Sequence, residues 1–276
     1  MSEDLAELAA AAARVGAEQL VRRFRDRTVE IQAKAKNDLV SEADWESEAA
    51  IVRFLQDRLP DHKILSEEAG VVGPGGAAYE WIVDPLDGTN NFLQGLPIWG
   101  VSVACRKGAD ILAGTIYDPL GDHLFVASRG GGARWNGDVM SVSDQDGLSG
   151  SFLATGYPFR AHGAVDTYLR VFRDVFLQAR AIRRCGAASI DLAYTAAGIY
   201  DGFFEFRLSA WDIAAGALLI EEAGGRVTDL DGGDEYLIHG NLVAGSPTLH
   251  AELLAAVHEH ADESRLAREA PVENRF

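Results

Sequence analysis

The spacing of apolar residues changes along the chain, and these changes predict where helices and strands lie. Near the start, apolar side chains recur every three to four positions, which predicts amphipathic helices over residues 4–25 and 42–59. From residue 81 onward the apolar residues form short runs separated by turn residues. These runs predict a meander of four antiparallel strands over residues 81–83, 99–105, 111–117 and 124–127.

The second half of the chain alternates between strand-like and helix-like segments, a pattern typical of α/β structure. The predicted strands cover residues 152–155, 181–183, 202–206 and 241–244, and the predicted helices cover residues 167–177, 189–197, 213–223 and 249–258. A polar run at residues 141–150 separates the two patterns. It predicts an N-terminal α+β domain over residues 1–145 and a C-terminal α/β domain over residues 146–276, with a frayed polar tail after residue 262.

Composition narrows the range of partners. The 276 residues are 47% hydrophobic, enough for a large core, and the formal net charge is −17. Nucleic-acid backbones are bound by clustered Lys and Arg, so we do not expect direct binding of nucleic acid. The N-terminus is acidic and no apolar run reaches the length of a membrane span, so we expect a cytoplasmic protein with no membrane partner.

Two aspartates follow the predicted strand at residues 81–83. Asp84 and Asp87 lie on either side of Pro85, and we expect Pro85 and Gly88 to turn the backbone just past the end of that strand. The two carboxylates then cannot both belong to a regular strand face, so their oxygens can converge on one point. Aspartate pairs are also common in turns with a purely structural role, which is the alternative interpretation of this pair.

The residues between and after these aspartates suit a metal and a phosphate. The main-chain carbonyl of Leu86 can join the two carboxylates, and hard cations such as Mg²⁺ prefer oxygen ligands of this kind. Gly88 and Thr89 offer backbone N–H groups and a hydroxyl at a possible helix start, which can hold a phosphate. Together these residues favour phosphoryl chemistry.

Acidic residues elsewhere in the chain could complete such a site. Glu67 and Glu68 follow another short apolar run, and Glu67 would reach the same cation if that run pairs with the strand before Asp84. Adjacent glutamates are also typical of a solvated surface. Asp212 precedes a predicted helix, where it can act as the N-cap, as a rigidly supported metal ligand, or as both.

Taken together, these segments resemble the inositol monophosphatase family. The signature D-P-L-D-G-T-x-N-F stands at residues 84–92, and W-D-x-A-A-G…E-A-G-G stands at residues 211–225. Residues 36–44 resemble the early D-L-V-T-x-A-D segment of that family, and residues 66–68 resemble its G/S-E-E segment. The matches are collinear from about residue 36 to residue 245, so the resemblance covers most of the chain.

The resemblance implies a layered αβαβα sugar-phosphatase fold, with the catalytic cleft where the two halves meet. It also implies a Mg²⁺-dependent, lithium-sensitive phosphate monoester hydrolase with two or three Mg²⁺ ions per subunit, commonly a homodimer. Its substrate would be myo-inositol monophosphate or a similar small polyol phosphate, attacked directly and in line by an activated water. Two metal ions suit this reaction because they can activate the water and stabilise the leaving oxygen.

The resemblance also implies roles for individual residues. The metal ligands are Glu67, Asp84, Asp87, Asp212 and the main-chain oxygen of Leu86, with Glu67 also counted as catalytic. Gly88 and Thr89 hold the phosphate, and Thr89 with Asp44 forms the dyad that activates water. Glu205 is expected to hold substrate hydroxyls, although an exposed charge at a strand edge would equally explain it.

Three positions depart from the family pattern, and the last of them bears on the substrate. Asn90 and Gln94 differ from the usual residues, but neither position is a metal ligand. Ala187 is the expected substrate-contact position where the family often has Ser or Thr close to the substrate sugar, so this chain lacks that hydroxyl. Related enzymes with the same metal site hydrolyse histidinol phosphate, fructose 1,6-bisphosphate or 3′-phosphoadenosine 5′-phosphate, and these are the alternative substrates. A non-enzymatic alternative is a regulatory binding module in RNA-related complexes.

Overall fold

The computed structural model describes residues 2–26, 31–35, 38–158 and 162–269. The helices are α1 (Ser2–Asp26), α2 (Glu42–Arg58), α3 (Thr89–Gln94), α4 (Val165–Phe176), α5 (Ala188–Ala196), α6 (Ala210–Glu222), α7 (Tyr236–His239), α8 (Pro247–His258) and α9 (Glu263–Glu269). The strands of the first half are β1 (Ile31–Ala35), β2 (Asp38–Ser41), β3 (Lys63–Ser66), β4 (Gly70–Val72), β5 (Glu80–Asp87), β6 (Gly100–Lys107), β7 (Asp110–Asp118), β8 (His123–Ser128), β9 (Gly132–Trp135) and β10 (Asp138–Val139). Those of the second half are β11 (Phe152–Thr155), β12 (Ala181–Arg183), β13 (Gly202–Glu205), β14 (Arg226–Thr228) and β15 (Leu242–Gly245).

The first large sheet has eight strands in the order β10-β9-β8-β7-β6-β5-β3-β4. Strands β5 to β8 pair antiparallel, so the predicted meander is confirmed. Strand β3 pairs parallel with β5, which brings the carboxyl ends of both strands to one edge. A separate two-stranded hairpin, β1-β2, leads into α2.

Helices α1 and α2 cover one face of this sheet, and α5 and α6 cover the other. Successive side chains of β5 therefore enter different cores: Trp81 and Val83 pack with α1 and α2, whereas Ile82 packs with α5 and α6. Because both faces of β5 are buried, the sequence at the start of this strand is a continuous apolar run.

Helices α1 and α2 approach closely at Gly16. A Cβ at that position would lie only 2.6 Å from Cδ1 of Ile51 and 2.7 Å from Oγ of Ser47. Because Gly16 has no side chain, α1 packs directly on the face of α2 that carries Ser47 and Ile51.

The second sheet has five strands in the order β12-β11-β13-β15-β14. Its inner face packs on α5 and α6, while α4 and α8 cover the outer face. Neighbouring residues of β13 show the division, because Phe203 faces the inner core and Phe204 the outer one. The layers run α1/α2, first sheet, α5/α6, second sheet, α4/α8, which is the expected αβαβα arrangement.

Some details differ from the sequence-based expectations. The segment after residue 262 is not simply a frayed tail, because residues 263–269 form α9, whereas residues 270–276 lie outside the described part of the chain. The last strand of the first large sheet ends at Val139, and the first strand of the second sheet begins at Phe152. The domain boundary at residue 145 lies between them and stays a prediction. Among the described helices, none combines the length and apolar character needed to cross a membrane.

Candidate active site

The ends of β3 and β5 place two acidic residues next to each other. Ser66 pairs with Val83 in the parallel ladder, and the Glu67 N–H donates to the Val83 carbonyl over 3.3 Å. Glu67 is half-buried rather than fully solvated, and it lies beside Asp84 as pairing of these strands predicted.

The sequence pattern predicted that this strand ends at Val83, but β5 does not end there. It continues to Asp87, and its pairing with β6 is irregular between Asp84 and Asp87. Pro85 lies in this irregular stretch, where a missing N–H does not break a ladder hydrogen bond. The Leu86 N–H instead donates to Asp84 Oδ1 over 3.0 Å, so the bulge is closed by one of the acidic groups it presents.

Three aspartates from the two halves of the chain meet at this bulge. Asp84, Asp87 and Asp212 are buried, and each contributes a carboxylate oxygen to a group in which all three atoms lie within 4.8 Å of one another. Glu67 lies in the same cleft but outside this three-oxygen group. We call this space the cleft; among the residues that line it are Glu67, Asp84, Asp87, Thr89, Ala187, Glu205 and Asp212.

The sequence suggested Asp212 as the N-cap of its helix, but the structure does not place it there. Helix α6 begins at Ala210 with Ser209 as the N-cap, and Asp212 is the third helical residue. Its Oδ2 accepts a hydrogen bond from the Ser209 N–H over 2.6 Å, which completes a capping box. The cap therefore fixes the side chain of Asp212 as it enters the cleft.

Crowding of acidic groups changes their affinity for protons. Burial raises the pKa of Asp84 well above its usual value, and the charges of Glu67, Asp87 and Asp212 raise it further. Burial and the charge of Asp212 raise the pKa of Asp87 to about 7. Both effects mean that negative charge is unfavourable here without a cation to offset it.

Thr89 and Asp44 are in contact, as the resemblance implied. Thr89 Oγ1 lies 3.2 Å from Asp44 Oδ1 and 3.1 Å from the Leu86 carbonyl oxygen, so its proton is directed toward these acceptors. The other oxygen of Asp44 accepts from the N–H and hydroxyl of Ser41 at the start of α2. Burial raises the pKa of Asp44 even though these hydrogen bonds act in the opposite direction.

Gly88 connects β5 to α3 in a conformation that other residues adopt with strain. Its φ is +93°, and a Cβ there would lie 3.0 Å from the Ile98 carbonyl oxygen and 3.2 Å from Cβ of Ala187. Ala187 is buried against Gly88 at the start of α5 and lines the cleft. The contact joins the two halves of the chain at one of the residues predicted to hold the phosphate.

Sequence reasoning missed Ser189. Both its N–H, at 2.7 Å, and its hydroxyl, at 2.5 Å, donate to Asp87 Oδ2. Asp87 therefore acts as an N-terminal cap for α5 from 102 residues away in the sequence. A serine at a predicted helix start signals local capping, but no sequence pattern identifies so distant an acceptor.

Sequence reasoning also missed Asp191 and Arg184, which both line the cleft. Asp191 is buried, and its Oδ1 has no hydrogen-bond partner among the described residues. Burial raises its pKa well above the usual value, and the charge of Asp87 adds to this. Arg184 lies over the ring of Tyr157, with its guanidinium carbon 5.2 Å from the ring centroid.

Glu205 is not an exposed charge at a strand edge. It ends β13, the middle strand of the second sheet, and only 7% of its surface is exposed. Burial raises its pKa well above the usual value, the charge of Asp191 raises it further, and Arg184 acts in the opposite direction. The carboxyl group lines the cleft, although contact with a substrate stays a prediction.

The model of the inositol monophosphatase family matches residues 1–262. The chain therefore belongs to the inositol monophosphatase family. It is 43% identical over 263 residues to the Nus factor SuhB of Pseudomonas aeruginosa, covering 94% of this chain and 97% of that protein. The family membership and the αβαβα fold implied by the sequence motifs are thus confirmed.

Solved structures of the family have the same fold. The extragenic suppressor protein suhB from Bartonella henselae is 38% identical, with a TM-score of 0.89 over 94% of this chain and all of that one. The inositol monophosphatase from Anabaena is 32% identical, with a TM-score of 0.80 over 95% of this chain and 98% of that one. The individual site roles, the homodimer and the cytoplasmic location stay predictions.

The donors in the cleft suit a hard divalent cation. The group formed by Asp84, Asp87 and Asp212 offers only carboxylate oxygens, with the Leu86 carbonyl and Glu67 nearby. None of the residues that line the described cleft is a histidine or a cysteine, the ligands typical of zinc. This donor set therefore fits Mg²⁺, the cation on which this family depends.

Proposed function

We propose that this protein is a Mg²⁺-dependent phosphate monoester hydrolase that acts on myo-inositol monophosphate or a similar small polyol phosphate. The observation that carries the proposal is the buried group of Asp84, Asp87 and Asp212, with the Thr89–Asp44 hydrogen bond beside it. Family membership supports the same reaction class. Two or three Mg²⁺ ions would be held by these aspartates with Glu67 and the Leu86 carbonyl.

Phosphate monoesters resist hydrolysis because a negatively charged group has to be attacked while an alkoxide leaves. Bound Mg²⁺ supplies the positive charge that offsets both difficulties and lowers the pKa of water. The raised pKa values of Asp84 and Asp87 are consistent with a site built to hold such charge.

Thr89 has a separate task in this proposal. Its proton is directed toward Asp44 and the Leu86 carbonyl, so the lone pairs of its hydroxyl oxygen remain to accept a hydrogen bond. That oxygen can orient a water for in-line attack, with Asp44 stabilising the resulting charge separation. The Gly88 and Thr89 amides at the start of α3 would hold the phosphate in line with that water.

The far wall of the cleft favours a polyol as the alcohol part of the substrate. The carboxyl groups of Glu205 and Asp191 can accept hydrogen bonds from hydroxyls. Arg184 on the same wall can donate hydrogen bonds to hydroxyls, so this wall offers both donors and acceptors to a polyol. Ala187 adds only a methyl group, so it provides no hydroxyl contact.

A substrate panel with a metal titration tests the proposal. We expect hydrolysis of inositol 1-phosphate that requires Mg²⁺, is inhibited by lithium, and has a kcat/KM at least about tenfold higher than that of the competing substrates. Release of inorganic phosphate would be measured for inositol 1-phosphate, histidinol phosphate, fructose 1,6-bisphosphate and 3′-phosphoadenosine 5′-phosphate. Faster turnover of histidinol phosphate would reassign the substrate, and hydrolysis that persists in EDTA would contradict the metal site.

A second candidate function is a role in a transcription complex, because the Pseudomonas relative is named a Nus factor. This acidic chain also has four exposed arginines within residues 170–183: Arg170 and Arg173 on α4, Arg180 just before β12 and Arg183 at its end. Cosedimentation with a purified bacterial transcription elongation complex would test the role. Binding by the wild type that Arg180→Glu with Arg183→Glu abolishes would support it, whereas no binding by the wild type would remove it.

A further inference from the structure

One face of α2 contacts three separate segments of the cleft. Asp44 accepts from Thr89, and Ser47 Oγ donates to the Pro85 carbonyl over 2.9 Å. Glu48 lies one helical turn after Asp44 and therefore on the same face. Asp44 thus contacts the start of α3 and Ser47 contacts the bulge of β5. Glu48 contacts the turn that carries Glu67.

Glu48 holds that turn through its main chain. Its Oε1 accepts hydrogen bonds from the N–H groups of Glu68 and Ala69, both at 3.0 Å, and only 6% of its surface is exposed. Hydrogen bonds to a buried carboxylate are stronger than those between neutral groups. A charged side chain in this position is retained only where its hydrogen bonds offset the cost of removing it from water.

The main chain is therefore held by hydrogen bonds at Glu67 and at the two residues that follow it. The N–H of Glu67 is held by the Val83 carbonyl of β5, and the next two N–H groups are held by Glu48 of α2. Glu67 cannot be placed by packing alone, because it is half-buried and lies on a turn after β3. The hydrogen bonds on both sides of Glu67 therefore help to hold its side chain in the cleft that Asp84 also lines.

We propose that Glu48 is a positioning residue that sets Glu67 for binding a divalent cation in the cleft. The inference rests on the proposed metal-dependent function, and it assigns Glu48 a role in the affinity for the cation rather than in the chemical step. Because both amides share a single oxygen of Glu48, an amide side chain with one carbonyl oxygen can replace it. Glutamine should therefore preserve the position of Glu67, whereas alanine should not.

The test compares Glu48→Ala with Glu48→Gln, using Ile51→Val as the matched control. Ile51 is buried one turn further along α2 and does not itself line the cleft, so its variant reports general loosening of the helix. Mg²⁺ binding would be measured by calorimetry on each full-length protein without substrate. Hydrogen exchange at the amides of residues 68 and 69 would report whether the turn is held.

We expect Glu48→Ala to weaken Mg²⁺ binding roughly 10- to 100-fold, the range typical for residues that support metal ligands. Exchange at residues 68 and 69 should be faster in that variant, and Glu48→Gln and Ile51→Val should bind Mg²⁺ like the wild type. Wild-type Mg²⁺ affinity in Glu48→Ala, despite faster exchange, would overturn the inference. An equal loss in Ile51→Val would also overturn it, and a wild type that binds no Mg²⁺ would overturn the proposed function itself.

Discussion

Helices α2 and α6 begin in the same way, yet their first aspartates have different surroundings. Each starts with a serine N-cap followed three residues later by an aspartate that reaches back to the serine N–H: Ser41 with Asp44, and Ser209 with Asp212. Asp212 lines the cleft, and Asp44 accepts a hydrogen bond from Thr89, which lines it too. The two helices contact opposite faces of the first sheet.

The difference lies in the groups that surround each carboxylate. Asp44 accepts hydrogen bonds from the Ser41 N–H and hydroxyl on one oxygen and from Thr89 on the other. Asp212 lies instead within 4.8 Å of Asp84 and Asp87, among other carboxylate oxygens. Neighbouring donors make Asp44 an orienting group, whereas neighbouring acceptors make Asp212 a candidate cation ligand. Position in a helix alone does not separate the two roles.

Removing the charge of Asp212 should have the largest effect. We expect Asp212→Asn to lower kcat/KM about 10³-fold or more, since an anionic ligand is lost and several kcal/mol of charge stabilisation go with it. Mg²⁺ affinity, measured by calorimetry, should fall as well. The free energy of unfolding without metal should stay equal or rise, because one of three crowded carboxylates becomes neutral.

The result for Asp212→Asn separates a ligand from a capping residue. Asparagine keeps an oxygen that can accept from the Ser209 N–H, so the helix start should remain intact. A variant that unfolds at lower denaturant concentration while binding Mg²⁺ normally would show that Asp212 serves the cap and not the cation.

Removing the Thr89–Asp44 hydrogen bond should have a smaller effect on activity and little on metal binding. We expect Asp44→Asn and Thr89→Val each to lower kcat about 10²-fold, near the lower end of the range typical of proton-handling groups. The double variant should be little worse than either single variant, because both disrupt one hydrogen bond. Initial rates at saturating Mg²⁺ would be compared, and strictly additive losses would contradict a shared role for the pair.

The sequence predicted most of the elements and the identity of the acidic residues, but not all the contacts between them. Apolar runs such as residues 99–105 locate strands because burial leaves a local pattern. The path of β5 through Pro85 was mispredicted, since a bulge tolerates a proline that a regular strand excludes. The hydrogen bonds of Ser189 with Asp87, and of Glu48 with Glu68, depend on topology and leave no local signal.

The smallest effects should come from the cap serines. Ser41→Ala and Ser209→Ala should each cost about 1 kcal/mol of stability in chemical denaturation, since each removes a side-chain cap. Their effects on function should differ. Ser41→Ala removes a hydroxyl donor from Asp44 and should lower kcat a few-fold at unchanged Mg²⁺ affinity, whereas Ser209→Ala leaves the backbone donor to Asp212 in place.

Measuring kcat and the Mg²⁺ concentration for half-maximal rate in both serine variants would sharpen the comparison. Ser209→Ala should shift the Mg²⁺ dependence slightly, because the helix start that supports Asp212 becomes looser, and should leave kcat at saturating Mg²⁺ nearly unchanged. Identical behaviour of the two variants would mean that the donors around each aspartate do not determine its role. A shift of Mg²⁺ dependence in Ser41→Ala alone would assign cation binding to the α2 side of the cleft.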